Sequence, residues 1–448
     1  MTMVTKHANP PSNGAASRIA IIGSGIAGNA AAYALAASPR HQITVFEQNA
    51  KAGGHAATVD IDYDGKAISV DTGFIVYNEP NYPNLTALLS HLDVKTHGSD
   101  MSFALSVDRG RFEWCGRANG PLGGLFAQPR NFFSPSYLKM LFEIVRFNKL
   151  ASVDLAAGRL DDSSLGTYLA ANGFSQRFRD DYLLPMGAAI WSMSTKSMLN
   201  FPVKAFISFF SNHHLLQYSG HEWRTVTGGS RVYVEKMIET YRDRLHLSTP
   251  VKRVIRTVDG VTLTLDDGST AEFDGVIFGS HTDQTLALLG DATAQERAVL
   301  GAISYQPNTV YLHRDPRLMP VRKRAWGSWN VIQDTDRNAE LCVSYWMNHL
   351  QGIDSDCPLF VTLNPAEPPA EALTFGQYVY DHPQFDSAAI EAQSRLDSIQ
   401  GRNRTWFCGA WSRHGFHEDG LMSGLDVAER LGVIPSWRPM SAYAVAAE

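Results

Sequence analysis

A G-x-G-x-x-G run, Gly23-Ser24-Gly25-Ile26-Ala27-Gly28, carries the most definite chemistry in this 448-residue chain. Gly23 permits a tight turn, Gly25 lets backbone approach a pyrophosphate, and Gly28 lets a helix pack on a strand. The first N–H groups of the helix, at Ile26, Ala27 and Gly28, would then point at phosphate oxygens. Glu47 follows about 20 residues on, where an acid accepts hydrogen bonds from ribose hydroxyls and repels a 2′-phosphate. NADP is therefore disfavoured. An ordinary glycine-rich turn explains the pattern less well, because strand, helix and acid all accompany it. Gly53-Gly54-His55 adds a second glycine doublet just past the acid.

A second group lies near the C-terminus. His414, His417 and Glu418 sit in a glycine-bounded segment read as a loop. A base there could remove a proton from a substrate carbon. The bland alternative is that His417 and Glu418 only satisfy backbone N–H groups. Cys408, His414 and His417 have metal-donor types, but an i, i+3 histidine pair is a poor basis for a site, and no metal is expected. Large side chains crowd three segments: Ala189-Ile190-Trp191-Ser192-Met193, Phe206-Ile207-Ser208-Phe209-Phe210 and Tyr345-Trp346-Met347. Core packing accounts for any one of them. Together they suit an apolar substrate. His213-His214 and His221-Glu222-Trp223 form a further polar cluster, near substrate or on the surface.

These residues need a scaffold. Residues 18–22 read as a buried strand, 26–37 as an alanine-rich helix and 42–47 as a second strand, which opens a parallel sheet. Residues 60–63 and 67–77 read as extended segments around Asp64-Gly65. Helical periodicity dominates from about 120 to 224. Residues 251–265 and 271–278 return to β, with a turn at 266–269. Residues 305–312 and 341–347 suggest strands of a separate sheet, and 421–431 a final helix.

The composition bounds the answer. With 44% hydrophobic and 19% charged residues the chain can bury a large core and is not disordered. Lys+Arg total 39 against 45 Asp+Glu, a net charge of −6, so no bulk electrostatic grip on nucleic acid is expected. Four scattered cysteines suit a reducing cytoplasm and form no C-x-x-C pair. Residues 1–16 are polar, lack an apolar core and read as a flexible tail, not a secretory signal. Residues 121–150 interleave aromatic and aliphatic side chains with Arg130, Lys139, Arg146 and Lys149. That mix suits either a helix covering the core or one resting on an anionic bilayer, which would make the protein peripheral on the membrane's cytoplasmic face.

The glycine motif, Glu47, Gly53-Gly54, Asp71-Thr72-Gly73 and Thr227-Gly228-Gly229-Ser230 together resemble the flavin-containing amine oxidase and phytoene desaturase-like superfamily. Val70 to Asn78, Trp223 to Arg231 and Gly415 to Gly420 are similar to one bacterial subfamily of predicted NAD/FAD-binding oxidoreductases. Members of that subfamily accompany lipid methyltransferases, and some are linked to desaturation of methyl-branched acyl chains on the route to furan fatty acids. The resemblance implies FAD as cofactor. It implies that backbone at Gly53, Gly54, His55, Gly73 and Val251 lines the FAD, with Gly409, Leu421 and Met422 near its ribityl and ring portions. It implies Tyr305 and Asn308 as lining residues, to which the aromatic-rich segments add Trp191, Tyr345 and Trp346. There are departures. His55 stands where the superfamily commonly has Arg, and Gly409-Ala410 where it has Gly-Asp, so Asp419 or water would take over that contact. The superfamily lysine near flavin N5 has no assigned position.

The resulting expectation is a two-domain α/β protein. A discontinuous, Rossmann-like FAD-binding domain takes residues 17–100, 225–285 and 400–434. An α+β substrate domain combines a helical part, 101–224, with a sheet from 286–399, and 435–448 form a C-terminal tail. The expected activity is an FAD-dependent dehydrogenase or desaturase passing hydride from an apolar acyl chain to flavin N5, with an apolar lipid substrate and a lipid methyltransferase as possible partner. Alternatives are an amine oxidase, and a non-redox FAD protein such as an acyl-chain hydratase or methyltransferase partner.

Overall fold

A computed structural model describes residues 16–116, 123–161, 163–191, 193–213, 215–216, 222–334 and 341–439. The nucleotide-motif segment folds as expected. Strand Ser17–Ile22 pairs in parallel with His41–Phe46 on one side and Gly275–Phe278 on the other. Leu245–His246 and Thr405–Phe407 complete a five-stranded parallel sheet. Its strands read as apolar runs because both faces are covered. The first helix, Ile26–Ala36, packs on one face together with the last helix, His417–Arg430. A three-stranded meander, Val251–Arg256, Val261–Leu265 and Thr270–Phe273, lies over the other.

The two helices touch closely. A Cβ on Gly424 would fall 2.1 Å from the Ala27 carbonyl oxygen, and one on Gly420 would strike the Ile26 side chain at 2.7 Å. Only glycine at these positions lets the last helix seat on the first.

The second unit is a seven-stranded sheet in the order Thr374–Pro383, Tyr305–His313, Phe360–Leu363, Cys342–Trp346, Trp329–Gln333, Phe103–Val107, Phe112–Gly116. All its pairs are antiparallel except Trp329–Gln333 with Phe103–Val107. One face packs into a large apolar core with helices Pro135–Ala156, Leu184–Trp191 and Val203–Asn212. One expectation is corrected here. The segment after residue 101 is not all helical, since two strands of this sheet come from it. Strand Thr374–Pro383 lies within the expected 286–399 sheet but matches none of the individual strands read from the sequence.

Smaller differences follow from local pairing. The extended stretch 67–77 divides: strand Lys66–Asp71 closes a hairpin on Thr58–Tyr63, while Tyr77–Asn78 joins Thr96–Ser99 and Trp223–Val226 in another sheet. The last helix starts at His417, not 421, because Asp419 accepts from the Phe416 N–H (2.9 Å) and closes its first turn. Residues 435–439 are not a free tail. Arg438 is buried and bonds Asp426 and Glu429, and Trp437 stacks on His91. Residues 1–15, 117–122 and 440–448 lie outside the described residues, so the expectations for those stretches of the two tails, and for residues 121–122, rest on sequence.

Candidate functional site

The first landmark is where the parallel strands end. Gly23-Ser24-Gly25 follows Ile22, Glu47 follows Phe46, Gly279-Ser280-His281 follows Phe278, and Cys408-Gly409 follows Phe407. Ligands of open parallel sheets bind outside these carboxyl ends. The glycine doublet comes to the same place: the Gly53 N–H donates to the Ser24 carbonyl (2.9 Å), and Gly25 and Gly53 form an isolated parallel bridge. Gly73 closes on it from the other side, where a Cβ would be 2.3 Å from the His55 carbonyl oxygen. Val251 starts the meander just after Thr249, whose N–H donates to the Glu47 carbonyl.

The cradle suits a dinucleotide. A Cβ on Gly25 would meet nothing within 4 Å, so open space lies over the glycine turn. Helix Ile26–Ala36 begins there with no side-chain cap, leaving its first N–H groups for an anion. Two buried ring nitrogens nearby, His55 Nε2 and His281 Nδ1, have no protein partner. Glu47 behaves differently from the expectation. Oε2 accepts from Ser24 N (2.9 Å) and Oγ (2.7 Å), and Oε1 from Asn49 N and Nδ2 (both 2.9 Å). Its acceptor positions are engaged, so a ribose hydroxyl would have to displace the Asn49 side chain.

His55 sits in a cluster that no stretch of sequence announces. Its ring centroid is 5.1 Å from that of Tyr380, 5.5 Å from His382 and 6.5 Å from His281. His281 stacks on Tyr305 at 4.4 Å, and the Tyr305 hydroxyl accepts from the Thr282 N–H. Asn308 Nδ2 lies 3.0 Å from His382 Nδ1, which makes that nitrogen the acceptor. Burial, reinforced by the neighbouring imidazoles, pushes His55 down to about 3 and His382 down to about 4. All three rings are therefore neutral at physiological pH. The seven-stranded sheet delivers Tyr380 and His382, two residues apart on one strand, to the ends of the parallel strands. His281 could have been found from its place after a parallel strand; Tyr380 and His382 could not, since their strand was unread.

The three proposed catalytic groups separate. His417 and Glu418 are in the first turn of the last helix, not in a loop. His417 stacks face-to-face on Phe74 at 3.9 Å and hydrogen-bonds the Tyr233 hydroxyl. Burial lowers it to about 3, which makes it a weak base. Glu418 accepts from Asn84 N (2.8 Å), Asn84 Nδ2 (2.7 Å) and Leu85 N (2.9 Å). It caps helix Pro83–His91 across the molecule. Burial raises it to about 7, against the pull of those three donors. Asp419 accepts from the Phe416 N–H at the start of its own helix. Leu421 and Met422 are buried in the same helix, and the Gly409 N–H donates to Ser423 Oγ.

Of the three, His414 lines a cleft. It shares a narrow cleft with Trp191, Phe201, Phe385, Ile390 and Arg413. Gln393 Nε2 donates to the carbonyls of Trp411 and Arg413 and holds the loop that carries it. Gly415 takes φ +91°, where a Cβ would also strike the Phe385 ring at 2.8 Å. Tyr345 and Trp346 are not brought together. Tyr345 packs on Trp329 within the large core, whereas Trp346, on the opposite face of the strand, joins Trp326 and Phe360 in a separate cluster. Trp346 is thus not beside the other proposed lining residues. His213 stacks on Phe209 (3.8 Å); Ser192, His214 and His221 lie outside the described residues.

This fold and glycine cradle define an FAD-dependent oxidoreductase of the amine oxidase superfamily. The chain belongs to the flavin containing amine oxidoreductase family, whose profile matches residues 26–285. Among solved structures it is similar to a fatty acid isomerase from P. acnes that produces CLA, with TM-score 0.66 and 17% identity over 93% of this chain and 99% of that one. It is also similar to a putrescine oxidase (TM-score 0.65, 16% identity, 93% and 98% covered). A cyclohexylamine oxidase from Brevibacterium oxydans matches at TM-score 0.63, with 16% identity and 93% and 100% covered. At such identities the likeness is one of fold. No curated protein sequence matches.

Proposed function

We propose that the chain is an FAD-dependent dehydrogenase or desaturase acting on an apolar acyl chain, of the methyl-branched kind that the narrower sequence resemblance suggests. One observation carries the reading. The cleft beside His414 is walled by Trp191, Phe201, Ala205, Phe385 and Ile390, and its one permanently charged side chain is Arg413. Among the described residues no carboxylate lines it, and Arg413 is itself paired with Asp426 (3.5 Å), so a substrate ammonium finds no free counter-ion there while an acyl chain finds an apolar wall.

FAD would be held by backbone at Gly23, Gly25, Gly28, Gly53 and Gly54, with Glu47 and His55 beside it, and it supplies the hydride acceptor. The apolar walls exclude water. His414 takes the proton from the carbon next to the one that loses hydride, and a carbon–carbon double bond remains. The neutral His55, His281 and His382 offer polar contact without adding charge.

The test is an anaerobic visible spectrum of the FAD-loaded protein on mixing with methyl-branched and plain phospholipids. Bleaching by the branched lipid is expected. His414→Gln should keep FAD and slow bleaching by about 10²-fold or more, the usual range for loss of a general base. Bleaching by small amines and by no lipid would overturn the reading.

A further inference from the structure

We propose that helix Pro135–Ala156 and the turn before it form a docking face for an anionic phospholipid bilayer. The proposal concerns a surface and does not rest on the substrate assigned above.

The charge arrangement is the first observation. Between Gln128 and Val153 the only acidic residue is Glu143. It is 3% exposed and turned inward, where it accepts from the Ser175 N–H and hydroxyl. Asp154, the next acid, is also buried, held by Arg159 and the Tyr168 hydroxyl (2.7 Å). The cations do the reverse. Lys139 and Lys149 are exposed and, among the described residues, have no acidic partner, and Arg130 is exposed at the start of the segment. With both acids turned inward, the outer face of this helix carries cations and no exposed carboxylate, and so is net positive.

The apolar side chains share that outer face. Phe133 is 88% exposed, Phe142 67% and Phe132 50%, with Leu138, Val145 and Val153 also exposed. Residues 138, 142, 145, 149 and 153 recur at helical spacing and so form one stripe. The inner face is occupied already: Tyr137, Met140, Phe147 and Ala151 are fully buried in the core. A protein of net charge −6 would be repelled by an anionic membrane unless one region faced it with positive charge. An apolar stripe set among cations is the combination that binds such surfaces. The helix packs on Val203–Asn212, whose Ala205 lines the cleft beside His414, so one helical layer separates the docking face from the cavity. No described helix is long and apolar enough to cross a membrane, so the contact would lie in the interface plane.

The test is flotation of the FAD-loaded protein with vesicles of phosphatidylglycerol and phosphatidylcholine, against phosphatidylcholine alone. Binding to the anionic vesicles at least tenfold stronger is expected, weakening as salt rises. Phe133→Ser with Phe142→Ser should lower binding about tenfold or more. Lys139→Gln with Lys149→Gln should lower it roughly 25-fold, about fivefold per charge, and flatten the salt dependence. Flavin absorbance and melting temperature should not move in either pair, which keeps loss of fold apart from loss of docking. Equal affinity for both vesicle types, or no binding to either, would overturn the proposal. So would a dimer in sedimentation velocity that the serine pair dissociates, since a second copy of the chain would then be what covers the face.

Discussion

Substituting Glu418 should cost stability and leave flavin reduction nearly unchanged, because the side chain caps helix Pro83–His91. Its carboxylate accepts three N–H groups from the start of helix Pro83–His91 at 2.7 to 2.9 Å, and the side chain is buried. In Glu418→Gln one oxygen can still serve the two Asn84 donors, but the amide nitrogen then faces the Leu85 N–H, donor against donor. One bond to a charged acceptor is lost and a buried N–H is stranded, together roughly 2–4 kcal/mol. Removing a buried charge offsets part of this, so about 2 kcal/mol is expected. Glu418→Ala strands all three donors and should lose about 3–5 kcal/mol. For domains of 150–250 residues 1 kcal/mol moves the midpoint by about 2–4 °C. This longer chain should shift less, so the Ala variant should melt roughly 3–8 °C lower. The assay is thermal unfolding of the FAD-loaded protein by circular dichroism, paired with stopped-flow flavin reduction at a temperature where both variants are folded. Reduction should change by less than about threefold. An unchanged melting curve with reduction slowed by about 10² or more, the range of a lost general base, would refute the structural assignment.

The buried histidines set the acid limit. Their folded values, about 3 for His55 and about 4 for His382, lie below the ordinary 6.5, so their contribution is complete above pH 6.5 and is lost as pH falls towards those values. Between pH 7.5 and 5.0 each should account for about 2 kcal/mol of lost stability. Urea titrations should show His55→Gln losing less over that range than the parent, and parallel curves would contradict this. Gly25→Val places its side chain in open space over the turn, at φ −65° that any residue adopts. It should leave the apo fold's melting unchanged while FAD content of the purified protein falls at least tenfold; full FAD content would remove the nucleotide assignment. Gly424→Val drives a Cβ into the Ala27 carbonyl, so it should cost about 1–3 kcal/mol or more of stability, lowering the melting temperature, and FAD content should fall with it. Unchanged melting would show that the two helices are not held at this distance.

What was legible in the sequence was local. Gly23, Gly25, Gly28 and Glu47 lie on one strand–helix–strand unit, where spacing alone decides which backbone groups meet, and Gly53-Gly54 follows within a few residues. The hairpin at Asp64-Gly65 and the meander turn at 266–269 were read for the same reason: each is a short segment whose turn residues bring neighbours together. The outward cations and aromatics of 121–150 were also visible as a pattern. Which face they occupied was not, because a helix covering the core and a helix resting on lipid share one composition.

Tertiary structure decided the rest. The pairing of Glu418 with Asn84 spans 334 residues of sequence, and no local preference encodes it. His55, His281 and His382 come from three separate elements, and burial, which only the assembled fold supplies, keeps them neutral. Trp346 and Tyr345 are adjacent in sequence yet face opposite sides of one strand, since strand side chains alternate. Of three polar groups near the C-terminus, His414 lines a cleft, while helix formation begins three residues later and turns His417 and Glu418 inward. Short-range sterics and spacing thus determined the cofactor cradle from sequence alone, whereas substrate-side chemistry depended on long-range packing that decides which side chains are buried, paired or left facing open space.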